Sequence, residues 1–124
     1  MIDHITIATT DVERSKTFYR NAFEPLGYEV SFGEAGVFRA FRLDAQCLFE
    51  IRQAQAGEMP VTSCHVAFRV ASQDAVAAFH GAALAAGGRD NGAPGYRPQY
   101  SASYYACFVL DPDGHNLEAM LEDS

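Results

Sequence analysis

Ile2-Asp3-His4-Ile5-Thr6-Ile7-Ala8, near the start of the chain, has a pattern that returns once, in Cys64-His65-Val66-Ala67-Phe68-Arg69-Val70. In both segments apolar residues alternate with polar or small ones, which is typical of a strand with one face on a core. A histidine stands at the same place in each, and the two histidines are 61 residues apart (65 − 4). The pattern therefore indicates a duplicated half.

A helix is predicted after each of these strands. Thr10 or Asp11 can cap the first helix, and Glu13 stands three residues after Thr10, as in a capping box. Ser72 can cap the second helix, and glycines follow both helices at the positions where they should end. Apolar stripes on both helices predict that they pack on sheets.

Three strands are predicted after the first helix and two clear ones after the second. They lie at Tyr28–Phe32, Val37–Leu43, Gln46–Arg52, Tyr104–Leu110 and His115–Leu121. Asp111-Pro112-Asp113-Gly114 is a strong turn signal between the last two. The remaining strand is blurred by the segment 91–103. Each half then reads as βαβββ.

The predicted fold class is therefore α+β, with two βαβββ modules forming a curved mixed sheet in the shape of a cup. We expect one domain over residues 1–124, with module 1 at about 1–56, module 2 at about 61–122 and a linker within 53–62. A chain of 124 residues that is 48% hydrophobic is large enough to bury one core.

The charge balance excludes some classes of partner. Nine basic against sixteen acidic residues give a net charge of −7. No basic stripe suggests nucleic-acid binding, and the acidity argues against an anionic membrane surface. No apolar stretch is long enough to span a membrane, and the first residues do not resemble a secretory signal. Three cysteines without a CxxC pair suggest reduced thiols in a cytoplasmic protein.

The candidate functional residues are His4, Glu50, His65 and Glu118. The two histidines lie in the first strand of each half, and each glutamate lies in the last strand of its half among apolar neighbours. Since the apolar neighbours must pack on the helices, alternation directs all four side chains to the opposite, concave side of the sheet.

Two imidazoles and two carboxylates are a donor set that suits a divalent metal ion such as Zn, Ni, Mn or Fe(II). Burying two carboxylates on an inner sheet face is costly unless they are paired or bound to metal. The sequence therefore predicts a metal site. The alternative is a cup wet enough to solvate the four side chains without a metal.

Several segments together resemble the vicinal-oxygen-chelate superfamily, to which glyoxalase I and bleomycin-resistance proteins belong. They are Ile2–Ile7, Ser15–Tyr19, Cys64–Phe68 and Asp111–Glu118, and the resemblance covers essentially the whole chain. It implies two βαβββ modules around a metal held by His4, Glu50, His65 and Glu118, often in a cup completed by a homodimer.

The segment 95–106 is rich in tyrosine and holds one arginine. An arginine fork beside phenols suits an anionic or carbonyl-bearing small molecule, which makes Arg97, Tyr100 and Tyr105 candidate substrate-binding residues. Alternatively, the tyrosines are core or dimer-contact residues with solvated hydroxyls. The run resembles a bacterial glyoxalase-like subgroup whose reactions are mostly undefined.

The resemblance implies a metal-dependent, glyoxalase-like lyase or isomerase. It would act on a small carbonyl-containing substrate through a metal-bound enediolate, with Glu118 or Glu50 as general base. A different class of function is a non-catalytic protein of the bleomycin-resistance type, which sequesters an antibiotic or another small molecule. A non-haem Fe(II) dioxygenase is a third alternative, because two histidines and a carboxylate match its ligand set.

Overall fold

The structure, a computed structural model, describes residues 1–59 and 64–123. The start expected for module 2, near residue 61, and the end of the expected linker lie outside the described residues. The chain contains two α-helices, one 3₁₀ turn and eight strands in the described residues. They are β1 His4–Thr9, α1 Val12–Phe23, the 3₁₀ turn Glu24–Leu26, β2 Glu29–Glu34, β3 Phe38–Arg42, β4 Leu48–Gln53, β5 His65–Arg69, α2 Gln73–Ala85, β6 Arg89–Tyr96, β7 Tyr104–Leu110 and β8 Asn116–Glu122.

The strands form two four-stranded sheets with the same topology. Their orders are β1-β4-β3-β2 and β5-β8-β7-β6, so the first strand of each half pairs in parallel with the last one. The other pairings are antiparallel. The α+β class and the two βαβββ modules are therefore confirmed.

Strand β6 is the element whose bounds the sequence pattern did not predict. Its residues Arg89–Tyr96 pair with β7, but the register shifts on both sides of Gly92. Glycines and Pro94 interrupt the alternation there, because a bulged strand does not keep the two-residue period of a regular one. The period that identified the other strands was therefore absent.

The two modules share one hydrophobic core. It joins the helix-facing side chains of both sheets to those of α1 and α2. Phe23 lies at its centre, with its ring 5.5 Å from Phe41 and 5.2 Å from Phe68, which belong to different sheets. All three cysteines are free, and burial raises the pKa of the Cys107 thiol to about 11.

The start of α1 corrects one prediction. Asp11 is the N-cap, and its carboxylate accepts a hydrogen bond from the backbone N–H of Arg14. The capping box from Thr10 to Glu13 is wrong, because each side chain has another partner. Thr10 donates to Asp113, and Glu13 accepts from the guanidinium of Arg39. The cap expected at Ser72 is confirmed by its bond from the N–H of Ala75.

A polar seam joins the turn before β8 to the first module. Asp113 accepts hydrogen bonds from the hydroxyls of Thr9 and Thr10, and Asp111 accepts one from the buried hydroxyl of Tyr19. The imidazole Nε2 of His115 lies 2.9 Å from the carbonyl oxygen of Ala8. These contacts fix the position of β8, and hence of Glu118, relative to module 1. No helix in the described part of the chain is long and apolar enough to cross a membrane.

Candidate functional site

The two histidine–glutamate pairs occupy equivalent positions in the two sheets. In module 1, Thr6 on β1 is the neighbour of Glu50 on β4, and His4 is two residues before Thr6. In module 2, Ala67 is the neighbour of Glu118, with His65 again two residues earlier. The equivalence expected from the repeated pattern is therefore present in the backbone register.

Both pairs lie on the sheet face that points away from the shared core. In β4 the buried neighbours Phe49 and Ile51 flank Glu50, and in β8 Leu117 and Ala119 flank Glu118. Because side chains alternate across a strand, the glutamates must face the opposite side. The same alternation turns both histidines outward.

In module 2 the pair is closed. The Nε2 atom of His65 lies 2.9 Å from Oε1 of Glu118, and the hydroxyl of Tyr104 donates to Oε2 at 2.5 Å. Glu118 is only 3% exposed, whereas the His65 side chain is 47% exposed. Burial raises the pKa of Tyr104 well above its usual range, and the hydrogen bond to Glu118 and its charge add to that rise. The phenol therefore stays protonated as the donor.

In module 1 the pair is open. Nδ1 of His4 lies 2.8 Å from the carboxylate of Asp3, and Thr6 donates to Oε1 of Glu50 at 2.9 Å. The hydrogen bond to Asp3 raises the pKa of His4, and the charge of Glu50 raises it further. The His4 side chain is 53% exposed, so this pair is accessible from solvent.

One copy of the chain does not bring the four residues into one cluster. In residues 1–59 and 64–123, no group of three or more histidine, cysteine, aspartate or glutamate side chains is close enough to hold a metal. The structure brings His65 to Glu118 and sets His4 near Glu50, but the two pairs lie on different sheets that both face away from one core. A single copy thus presents two separate pairs, His4 with Glu50 and His65 with Glu118, and each pair is called a half-site below as a candidate.

The donor set of each half-site nevertheless fits a divalent metal. Imidazole nitrogen and carboxylate oxygen are the ligands that Zn²⁺ and related ions take in proteins. The buried carboxylate of Glu118 forms no salt bridge with lysine or arginine within the described residues, so a metal cation would compensate its charge. The two pairs of one copy together carry four side chains of these types.

The guanidinium of Arg97, a predicted substrate-binding residue, is bound by backbone carbonyls of strand β6. Its two terminal nitrogens donate to the carbonyl oxygens of Ala93 and Gly95, at 2.7 and 2.9 Å. The guanidinium also lies 5.4 Å from the ring centroid of Phe108, the cross-strand neighbour of Glu118. A side chain at Gly92 would collide with Phe108 and press on Arg97, so a glycine is needed for this stacking.

The two predicted tyrosines lie in different surroundings. Tyr100 is exposed, and its ring is 5.0 Å from that of Tyr104. Tyr105 packs against the core on the other face of β7, with its ring 5.2 Å from Tyr96. A role for Arg97 or Tyr100 in substrate binding stays a prediction, whereas Tyr105 does not share a face with Glu118.

Tyr104 is the residue beside Glu118 that the sequence interpretation missed. Phe108 is the direct neighbour of Glu118, and Tyr104 lies four residues earlier on the same face of β7. The alternation that oriented Glu118 could have separated Tyr104 from Tyr105. Alternation could not predict the hydrogen bond from Tyr104 to Glu118, because that bond requires the Tyr104 ring to extend along the strand.

Comparison with known proteins agrees with the fold. A family model described as the glyoxalase/bleomycin resistance protein/dioxygenase superfamily matches residues 1–119. A glyoxalase/bleomycin resistance protein from Albidiferax ferrireducens T118 is similar in structure, with a TM-score of 0.81, 26% identity and 97% of each chain covered. A glyoxalase-related enzyme from Fulvimarina pelagi gives a TM-score of 0.77 at 22% identity, over 97% of this chain and 86% of that one.

A third structure, a glyoxalase/bleomycin resistance protein/dioxygenase family enzyme from Burkholderia phytofirmans PsJN, has a TM-score of 0.75 at 20% identity, with 95% of each chain covered. At such identities the likeness concerns the fold. No curated protein matches the chain significantly. The family match, in contrast, spans nearly the whole chain, including both half-sites. The chain therefore belongs to the glyoxalase/bleomycin resistance protein/dioxygenase superfamily.

Proposed function

We propose that this protein is a metal-dependent, glyoxalase-like lyase or isomerase that acts on a small carbonyl-containing substrate as a homodimer. The observation that carries the proposal is the repeated pair: a histidine and a glutamate occur at the same register position of both sheets, on the face away from the core. A structural role does not require such a pair twice.

The homodimer follows from where the two pairs lie. Each pair supplies two ligands, and the two pairs of one copy face away from a common core. A second copy can set its module 2 face against the module 1 face of the first. His4 and Glu50 of one copy would then complete a four-ligand set with His65 and Glu118 of the other, and a two-fold axis would generate two such sites.

The carboxylates supply the proton chemistry of the proposed reaction. When bound, the metal acts as a Lewis acid toward the substrate oxygens. A glutamate that faces the substrate can then accept a proton from the carbon next to the carbonyl and return it at a neighbouring atom. Glu118 and Glu50 are the two glutamates that share a face with the candidate ligands.

Metal content tests the proposal. Elemental analysis of the wild type should find one divalent metal ion per chain after reconstitution, and light scattering should find a dimer. The variants His4→Ala and Glu118→Ala should each lose the metal, although they change different modules. His80→Ala is a matched control, because His80 hydrogen-bonds to Asp90 outside both half-sites.

The activity is then assayed with hemithioacetals and α-hydroxy carbonyl compounds, with and without a chelator. Turnover that the chelator abolishes would support the proposal. A wild type that binds no metal after reconstitution would contradict it, and tight binding of a small molecule without turnover would instead indicate a sequestering protein. Consumption of O₂ with Fe(II) would indicate a dioxygenase.

A further inference from the structure

The two equivalent glutamates have different hydrogen-bond donors. In module 1 the donor to Glu50 is Thr6, its cross-strand neighbour on β1. In module 2 that position is Ala67, which has no hydroxyl. The donor to Glu118 is instead Tyr104, which comes from the opposite side, on β7.

Module 1 has no counterpart of Tyr104. Ala40 is the neighbour of Glu50 on β3, as Phe108 is the neighbour of Glu118 on β7. Four residues before Ala40 stands Gly36, whose φ of 74° belongs to a turn and which has no side chain. The phenol is therefore a feature of one half-site, not of the repeat.

The contact is built to hold the carboxylate in one orientation. Ala106, between Tyr104 and Phe108 on the same face, is small enough to leave room for the Tyr104 ring along the strand. The ring also packs edge-on against Tyr100, with 5.0 Å between centroids. Glu118 is almost fully buried, so water does not compete for the oxygen that Tyr104 binds.

We infer that Tyr104 is a positioning residue of the candidate metal centre, which fixes Oε2 of Glu118 and leaves Oε1, beside Nε2 of His65, to bind the metal. This inference rests on the proposed function. A ligating carboxylate that keeps an outer hydrogen bond is pre-oriented, and loss of such a partner typically costs about 10- to 100-fold in metal affinity. Thr6 is an exposed residue of β1, so water can replace its hydroxyl and the loss of that hydroxyl costs less.

Co²⁺ titration tests the inference in four purified proteins: wild type, Tyr104→Phe, Thr6→Val and Tyr96→Phe. The Tyr96 variant is the matched control, since it removes a phenol hydroxyl that bonds Gln73 and not Glu118. We expect Tyr104→Phe to weaken Co²⁺ binding by about 10- to 100-fold and to change the visible spectrum of bound Co²⁺. Thr6→Val should show a smaller loss, and Tyr96→Phe none.

The outcomes separate the inference from the proposed function. A wild type without Co²⁺ binding would contradict the proposed function and the inference with it. Equal affinity and an unchanged spectrum in Tyr104→Phe, with binding intact in the wild type, would overturn the inference alone. A loss in Tyr96→Phe as large as that in Tyr104→Phe would also overturn it, since the effect would then not be local to Glu118.

A second measurement keeps the test independent of the stability of the variant. The wild type has six tyrosines and is labelled with 3-fluorotyrosine. The ¹⁹F signal of Tyr104 is the one that is absent from the spectrum of Tyr104→Phe. Addition of diamagnetic Zn²⁺ should shift the Tyr104 signal and leave that of Tyr96 in place. A Tyr104 signal that does not respond to bound Zn²⁺ would contradict the inference.

Discussion

The His4–Glu50 and His65–Glu118 pairs share a backbone register but not an environment. The first pair is open to solvent, and its imidazole bonds to Asp3 instead of to the glutamate. In the second pair the imidazole bonds to the glutamate, which is buried. Equivalent positions in a repeat thus set where a side chain leaves the backbone, whereas residues on the neighbouring strands determine its hydrogen bonds and its burial. The repeat alone would have made the two half-sites equal.

The largest effect is expected where the two halves depend on each other. Phe23→Ala removes a ring that packs against both sheets, and loss of a buried phenylalanine typically costs about 3–5 kcal/mol. Urea unfolding followed by circular dichroism and hydrogen exchange should show both modules destabilised together. Selective loss of module 1 protection, with module 2 unchanged, would mean that the two pairs do not rest on one folding unit.

The two glutamates themselves give the next effect. Glu118→Gln should weaken metal binding more than Glu50→Gln, because the Glu118 carboxylate is held by Tyr104 and His65. The loss of metal affinity in Glu118→Gln should exceed the ~10–100-fold that is typical of changes outside the ligand set. Isothermal titration with Zn²⁺ measures both affinities. Glu29→Gln, on an exposed part of β2, is the control. Equal losses for Glu50 and Glu118 would remove the distinction between an open and a closed half-site.

The seam that positions β8 should respond to pH. Asp113→Asn should cost about 1–3 kcal/mol, because the Asp113 side chain is 5% exposed and accepts charge-assisted hydrogen bonds from Thr9 and Thr10. Burial acts to raise the pKa of Asp113, but these bonds and the charge of Arg14 lower it below its usual value.

Because the pKa is lower in the folded chain, this stabilisation is fully present above about pH 4 and is lost as the pH falls through the folded-state pKa. The difference in unfolding free energy between wild type and Asp113→Asn should therefore shrink on acidification. A difference that is constant from pH 7 to pH 3 would contradict this role of the ionised carboxylate.

The smallest effect on metal affinity is expected when the threonine hydroxyl that donates a hydrogen bond to Glu50 is introduced at the equivalent position beside Glu118. Ala67→Thr places a hydroxyl next to Glu118, as Thr6 does for Glu50. In a Tyr104→Phe background it should restore about 2- to 10-fold of the lost Co²⁺ affinity, the range expected for one hydrogen bond. No recovery, in a variant as stable as its parent, would show that the side from which the donor comes matters as well.

The sequence predicted the fold through its repeat. Alternation around His4 and His65, the turn at Asp111–Gly114 and the caps at Asp11 and Ser72 are local signals, and each corresponds to an observed element. The signal failed where local patterns compete with tertiary contacts. Thr10 bonds to Asp113, more than one hundred residues away, instead of capping its own helix.

The candidate site was predicted less completely. Strand alternation placed Glu50 and Glu118 on the face away from the core, but it does not tell whether two such faces meet within one chain. Tyr104 and Arg97 show a second limit. The sequence marks a segment rich in tyrosine and arginine, while the direction of each side chain depends on the bulged strand β6 and on the glycine that lets Arg97 stack on Phe108.

The proposed metal site combines module 1 of one copy with module 2 of another. Two double variants test it: His4→Ala with Glu50→Ala, and His65→Ala with Glu118→Ala. Each is expressed with a different affinity tag, and the mixed dimer is isolated by tandem purification for metal analysis.

In the mixed dimer one site would receive both damaged modules and the other site both intact ones. If the sites are shared in this way, each homodimer of a double variant holds no metal and the mixed dimer holds half the wild-type amount. A mixed dimer without metal would contradict a shared site, because it would mean that each site takes its ligands from a single chain.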